Sequence, residues 1–275
     1  MMRNKTIEKF SKLKSILQSY EGIAVSVSGG VDSMTLAVMA HRQHDNVEMF
    51  HAVSPAVPPS ATQRVKEFAR KEGWRLNIIK PGEFGDERYL QNPVDRCYYC
   101  KMNLYEMIGR HTELTVMSGT NKDDIGDYRP GLKAAENHRV VHPYVEADIA
   151  KEDVRRIARF LSLDTLAELP ASPCLSSRIE TGIAIDPVVL PIVNRVEELL
   201  SHKLTPRTVR CRIRSRGIVI ELDEETLLRV LEESATMISL RRDIENLFRG
   251  QGYRQSVSFE PYRMGSAFLR DAANG

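Results

Sequence analysis

No apolar run among the 275 residues approaches the ~20 that a membrane-spanning helix needs, so a helical membrane protein is excluded. Met1 to Ser19 lacks the uninterrupted apolar core of a secretory signal. It is charged and amphipathic, with Ile7, Phe10, Leu13, Ile16 and Leu17 at helical spacing, and a cytoplasmic protein is expected. An excess of one charge is also missing. The 39 Lys and Arg against 37 Asp and Glu leave +2, too balanced to announce a nucleic-acid binder, although a local basic patch stays open. Cysteine is scarce, four in all, which points to thiol or metal chemistry rather than a disulfide framework. Internal repeats and low-complexity segments are absent.

What is present, 42% hydrophobic and 28% charged residues, reads as a globular chain of two domains. The organising stretch is Ser28-Gly29-Gly30-Val31-Asp32-Ser33, between the apolar run Ile23–Val27 and a helix-like stretch Met34–His41. Strand, glycine turn and helix in that order make a phosphate cradle: glycines let the backbone fold around an anion while the new helix points unpaired N–H groups at it. It is not a Walker A loop, having no lysine inside the turn. These residues resemble the PP-loop of the ATP pyrophosphatase superfamily. That resemblance implies a loop holding the pyrophosphate end of ATP, with Asp32 near the phosphates and their magnesium. The alternative is an ordinary turn capped by Asp32 or Ser33.

Further strands are expected at Val47–Val53, Trp74–Ile79 and Thr115–Ser118, with a short fifth at Val140-Val141, separated by helices such as Ala61–Glu72. The fold class that follows is α/β, a doubly wound parallel sheet. Ligands of such sheets sit beyond the carboxyl ends of the strands, so Ser28–Ser33, Ala52–Ser54 and Gly119–Asn121 should meet at one crevice. Beyond Gly182 the pattern changes: a helix from Pro187 to His202, closely joined strands at Thr208–Arg214 and Gly217–Leu222, helices at Glu224–Glu233 and Met237–Gln251, and a last strand at Tyr253–Phe259. This reads as an antiparallel α+β module, giving domains 1–182 and 183–275.

Three more stretches carry chemistry. Asp95-Arg96-Cys97-Tyr98-Tyr99-Cys100-Lys101 opens a helix, and a helix start lowers the pKa of both thiols. Gly119 to Leu132 is a long polar loop that includes Asp124, Asp127 and Arg129. Pro170 to Ile179 is a Pro-punctuated loop with Cys174 and Arg178. Together with the glycine loop these look like the LarE family, ATP-dependent sulfur transferases that make the organic part of a nickel-pincer nucleotide cofactor. The resemblance covers most of residues 20 to 180. It implies adenylation of a carboxylate of pyridinium-3,5-biscarboxylic acid mononucleotide, pyrophosphate release, and displacement of AMP by sulfur to give a thiocarboxylate.

An adenylation site must neutralise a triphosphate, which suits backbone amides plus cations. The expected ATP contacts are Ser28, Gly29, Gly30, Asp32, Ser33, Ser54, Gly119, Lys101, Arg129 and Arg178, with Asp32 and Lys101 also counted among the catalytic residues. Magnesium could rest on Asp32, Asp124 and Asp127. Arg210, Arg212 and Arg214 alternate along one strand and so share a face, and Arg263 lies in the tail. By the resemblance, Arg210 and Arg212, with Arg263, would clamp the substrate phosphate. The alternative is a solvated strand face.

Some members of the family sacrifice the sulfur of one cysteine, and Cys174 matches that position. The added Cys97 and Cys100 resemble instead the branch whose three cysteines hold a [4Fe-4S] cluster, one iron remaining open to an extra sulfide. Zinc and metal-free thiol or persulfide chemistry stay as alternatives. Cys211 sits in an apolar-alternating strand, sharing the face of Val209 and Ile213, and reads as core. Sulfide or another donor would supply sulfur, and the resemblance suggests a homo-oligomer. Two other functions remain in view: a tRNA thiolase, against which stand the small net charge and the roughly twenty residues before Ile23, and a non-catalytic ATP-binding regulatory module.

Overall fold

Four short apolar strands pair in parallel, β1 (Ile23–Ser26), β2 (Val47–Ala52), β3 (Arg75–Ile79) and β4 (Thr115–Ser118), in the order β3-β2-β1-β4. The computed structural model describes residues 4–126 and 130–269. In register, Ile23 lies between Val47 and Thr115, and Ser26 between Phe50 and Ser118. β1 and β2 are buried along most of their length because helices cover both faces, as a parallel sheet requires. The expected fifth strand is a single parallel bridge, Met117 to Val141. Contacts divide the chain into two units, Met1–Glu83 with Asp95–Ser172, and Phe84–Val94 with Pro173–Gly275.

In the first unit, the helix Val31–Gln43 supplies Met34, Leu36, Ala37, Val38, Met39 and Ala40 to the core. Leu13 and Leu17 of the helix Asn4–Gln18 pack there too, whereas Ile7 of the same expected face is exposed. The chain runs outward from β1 to β2 to β3, then crosses to the far side of β1 to form β4. That reversal places a topological switch point at the carboxyl ends of β1 and β4.

The second unit holds a three-stranded sheet in the order β5-β6-β7, where β5 is Val209–Arg214, β6 Gly217–Leu222 and β7 Val257–Pro261. β5 and β6 form the expected antiparallel hairpin, but β7 runs parallel to β6, so the module is mixed rather than antiparallel. The reason is the connection: two helices, Glu224–Glu232 and Ser234–Arg249, separate β6 from β7, long enough to bring the chain back to the same end of the sheet. The stretch 84–94 joins this unit through Asn92, whose side-chain amide donates to the carbonyls of Glu180 at 2.8 Å and Ile183 at 2.9 Å.

Candidate functional site

The turn after β1 is built from its own side chains. Ser33 Oγ accepts the Ser28 N–H at 3.0 Å, lies 3.0 Å from Ser28 Oγ and donates to the Gly30 carbonyl at 3.3 Å. Gly29 has φ +83°, and a Cβ there would sit 2.8 Å from the Ala61 carbonyl oxygen. Gly30 differs. Its φ of −84° suits any residue, and the nearest atom to an added Cβ is Ser28 Oγ at 3.6 Å. As cap of the helix Val31–Gln43, Gly30 offers no side-chain oxygen, so the first helical amides have no side-chain cap and remain suited to an anion. Gly119, just past β4, approaches the same helix start: a Cβ on it would come 2.6 Å from the Ser33 nitrogen. The expected meeting of the Ser28–Ser33 and Gly119–Asn121 stretches is therefore present. Ser54, at the carboxyl end of β2, is half-buried and accepts the Ala56 N–H at 3.3 Å.

Two partners from elsewhere in the first unit hold the Asp32 carboxylate: an ion pair with the Lys151 ammonium, and the Asn121 side-chain amide at 3.4 Å. The Tyr144 hydroxyl donates to the Asp32 carbonyl at 3.1 Å, and burial, helped by the charge of Asp32, raises its pKa well above the ordinary value. Asp124 accepts the Asn121 N–H at 3.0 Å as part of a capping box for the turn Lys122–Asp124. Asp127 and Arg129 lie outside the described residues. The Ser118 hydroxyl is 2.8 Å from His142 Nδ1, and burial, then the charge of Lys101, lowers the pKa of that imidazole while Asp124 opposes them. Lys101 lies 5.6 Å from the centre of the Tyr105 ring. Asn121 lies in the Gly119–Asn121 stretch expected at this crevice, whereas Lys151 and Tyr144 escaped notice because no motif spacing links them to Asp32.

Cys97 and Cys100 are half-buried in the first turns of the helix Arg96–Gly109, three residues apart and so on one face. Cys174 belongs to the second unit and is exposed. Among the described residues no three His, Cys, Asp or Glu side chains gather to hold a metal ion. The Cys97–Cys100 pair thus belongs to one unit and Cys174 to the other.

Arg178, expected at the ATP phosphates, is buried in the second unit. Its guanidinium makes two bonds of 2.9 Å to Glu197 and donates to the carbonyls of Pro173 at 2.7 Å and Cys174 at 3.3 Å. Burial works against its charge, but the bonds to Glu197 outweigh it and hold the pKa above the ordinary value. The arginine thus shapes the backbone that presents Cys174. Arg212 is also buried, donating to Glu221 at 3.0 Å and to the Ser177 carbonyl at 3.0 Å, and Arg214 shares Glu221 at 2.6 Å. The alternating arginines share a face as expected, yet Glu221 from β6 holds two of them. Arg210 is half-buried, 5.9 Å from the centre of the Tyr262 ring, and burial, with the charge of Arg178, lowers its pKa. Arg263 is exposed. Cys211 is fully buried, and that burial raises its thiol pKa well above the ordinary value.

No family model matches the chain. Over 230 residues, 82% of this chain and 85% of the other, it is 31% identical to the uncharacterized protein slr1717 of Synechocystis. The chain belongs to the family of slr1717. It is 26% identical over 265 residues, 94% of this chain and 98% of the other, to the uncharacterized protein MJ0830 of Methanocaldococcus jannaschii. It is 29% identical over 222 residues, 78% of this chain and 80% of the other, to the pyridinium-3,5-bisthiocarboxylic acid mononucleotide synthase of Lactiplantibacillus plantarum. That likeness supports a LarE-like family and leaves the iron–sulfur branch unsupported. Among the described residues no helix is long and apolar enough to cross a membrane.

Proposed function

We propose that the chain is a cytoplasmic, ATP-dependent sulfurtransferase of the LarE kind, acting on pyridinium-3,5-biscarboxylic acid mononucleotide. ATP adenylates a carboxylate of this substrate with loss of pyrophosphate, and sulfur then displaces AMP to leave a thiocarboxylate. The observation that carries the reading is the glycine turn at the β1–β4 switch point, with uncapped helical amides, the Ser28–Ser33 lock and Gly119 pressed against the helix start. The named Lactiplantibacillus relative supplies the substrate class.

In this reading Ser28, Gly29, Gly30, Ser33, Ser54 and Gly119 line the nucleotide. Lys101 and Arg129 add cationic charge, and Asp32 is the carboxylate suited to magnesium carried in by ATP, with Asp124 and Asp127 as further candidates. Such a metal would withdraw charge from the phosphates. Arg210 and Arg263 are left to meet the substrate phosphate, since Arg212 is already engaged by Glu221. The sulfur would pass through Cys97, Cys100 and Cys174. A [4Fe-4S] form of that passage rests on their number and on the Cys97–Cys100 spacing alone. Domains 1–182 and 183–275 would then divide nucleotide activation from substrate binding and homo-oligomer assembly.

The test is pyrophosphate release with the pyridinium dicarboxylate nucleotide against bulk tRNA, with the thiocarboxylate followed by mass. Release with tRNA alone would make the chain a tRNA thiolase, and release with neither would leave a regulatory ATP-binding module. Iron and sulfide analysis after anaerobic purification tests the cluster.

A further inference from the structure

We propose that Arg64 is a direct ligand of the β,γ-phosphate end of the bound nucleotide, the part that leaves as pyrophosphate; this rests on the adenylation reading above. Arg64 lies on the helix Pro59–Glu72, outside all four motif stretches, and spacing gives no hint of it. Its guanidinium is half-buried, and one nitrogen donates to the Gly29 carbonyl at 2.7 Å, fixing the group against the glycine turn itself. The same helix presses Ala61 against Gly29, so its position relative to the turn is set at two points.

A guanidinium has five N–H donors, and among the described residues this one spends a single donor. Among the described residues no carboxylate lies within ion-pair distance of it. Lys151 is paired with Asp32, and Arg178 with Glu197 in the second unit. Burial pulls the Arg64 pKa down, and the charge of Glu67 only partly opposes this, as expected of a cation drawn from water without a counter-charge. An anion in the turn would supply that charge, and a planar fork of donors matches two phosphate oxygens at once. AMP lacks the phosphates that the fork would hold.

Calorimetric titration of ATP, inorganic pyrophosphate and AMP into the wild type and Arg64→Gln is decisive. We expect Arg64→Gln to weaken ATP and pyrophosphate by about 10- to 100-fold, the range for a hydrogen bond to a charged group, and to leave AMP unchanged. Arg64→Lys should recover part of the loss, keeping the charge without the fork. Equal losses for ATP and AMP would mean that Arg64 only props up Gly29, and unchanged ATP and pyrophosphate would likewise overturn the inference. Should Arg64→Gln fail to fold, Arg64→Lys carries the same comparison, judged by pyrophosphate against AMP. Wild-type protein that binds neither ATP nor pyrophosphate would instead overturn the adenylation reading.

Discussion

A methyl group at residue 29 has nowhere to go: the backbone is left-handed there, and the Ala61 carbonyl oxygen would be 2.8 Å from the new carbon. Gly29→Ala should therefore lose about 1–3 kcal/mol in urea denaturation. Gly30→Ala should fold normally, and any effect it has on ATP affinity reports crowding of the ligand rather than strain. A Gly29→Ala protein as stable as the wild type would mean that the turn relaxes freely. The buried pair of Arg212 and Glu221 calls for a second measurement. Removing one partner leaves a charge in a site where the side chains are 6% and 2% exposed, so Arg212→Ala should cost about 3 kcal/mol. Because Arg214 also reaches Glu221, a much smaller loss would show that it compensates. Weakened substrate binding in Arg212→Ala means little until that stability loss is measured.

Three elements meet at His51: the end of β1, β2 and the helix Pro59–Glu72. Its Nδ1 lies 2.8 Å from the Val27 carbonyl and its Nε2 2.9 Å from the Thr62 hydroxyl, so a neutral ring donating to Val27 and accepting from Thr62 satisfies both nitrogens. Burial lowers the His51 pKa below the ordinary imidazole value of about 6.5. The unfolded chain therefore takes up the proton first. The contribution to stability is complete above about pH 6.5 and is lost as pH falls from there towards the folded-state value. His142 is shifted the same way. Urea midpoints should drop on the acid side of pH 6.5 in the wild type and drop less steeply in His51→Gln; parallel curves would contradict this. Short apolar runs separated by helix-like stretches made β1 to β4 legible, with glycine turns marking the ends of β1 and β4, and the helix with Cys97 and Cys100 followed from its motif. The parallel β7 was not legible, because two helices intervene and pattern says nothing of the direction of return. His51, Arg64 and Lys151 were hidden for a related reason: each meets the turn through tertiary packing.

At the scale of the whole molecule, the chain passes from one unit to the other after Glu83, returns after Val94 and leaves again after Ser172, so neither unit is one continuous segment. Composition changes near Gly182, where the sequence reading sets its boundary. It does not change around 84–94, a stretch tied to the rest of its unit by buried polar bonds. The Tyr89 hydroxyl is 2.6 Å from Ser176 Oγ, and Asn92, fully buried with φ +54°, gives its amide to Glu180 and Ile183. A fragment ending at Ser172 would retain both residues without these partners, leaving an aromatic ring and an amide to find water or aggregate. Fragment 1–172 should therefore bind a hydrophobic dye and come out of solution on gentle heating. The same fragment with 84–94 replaced by a Gly-Ser linker should bind less dye and melt more cooperatively. Equal dye binding by the two would mean that the stretch finds burial without Pro173–Gly275, and the two-unit division would have to be redrawn.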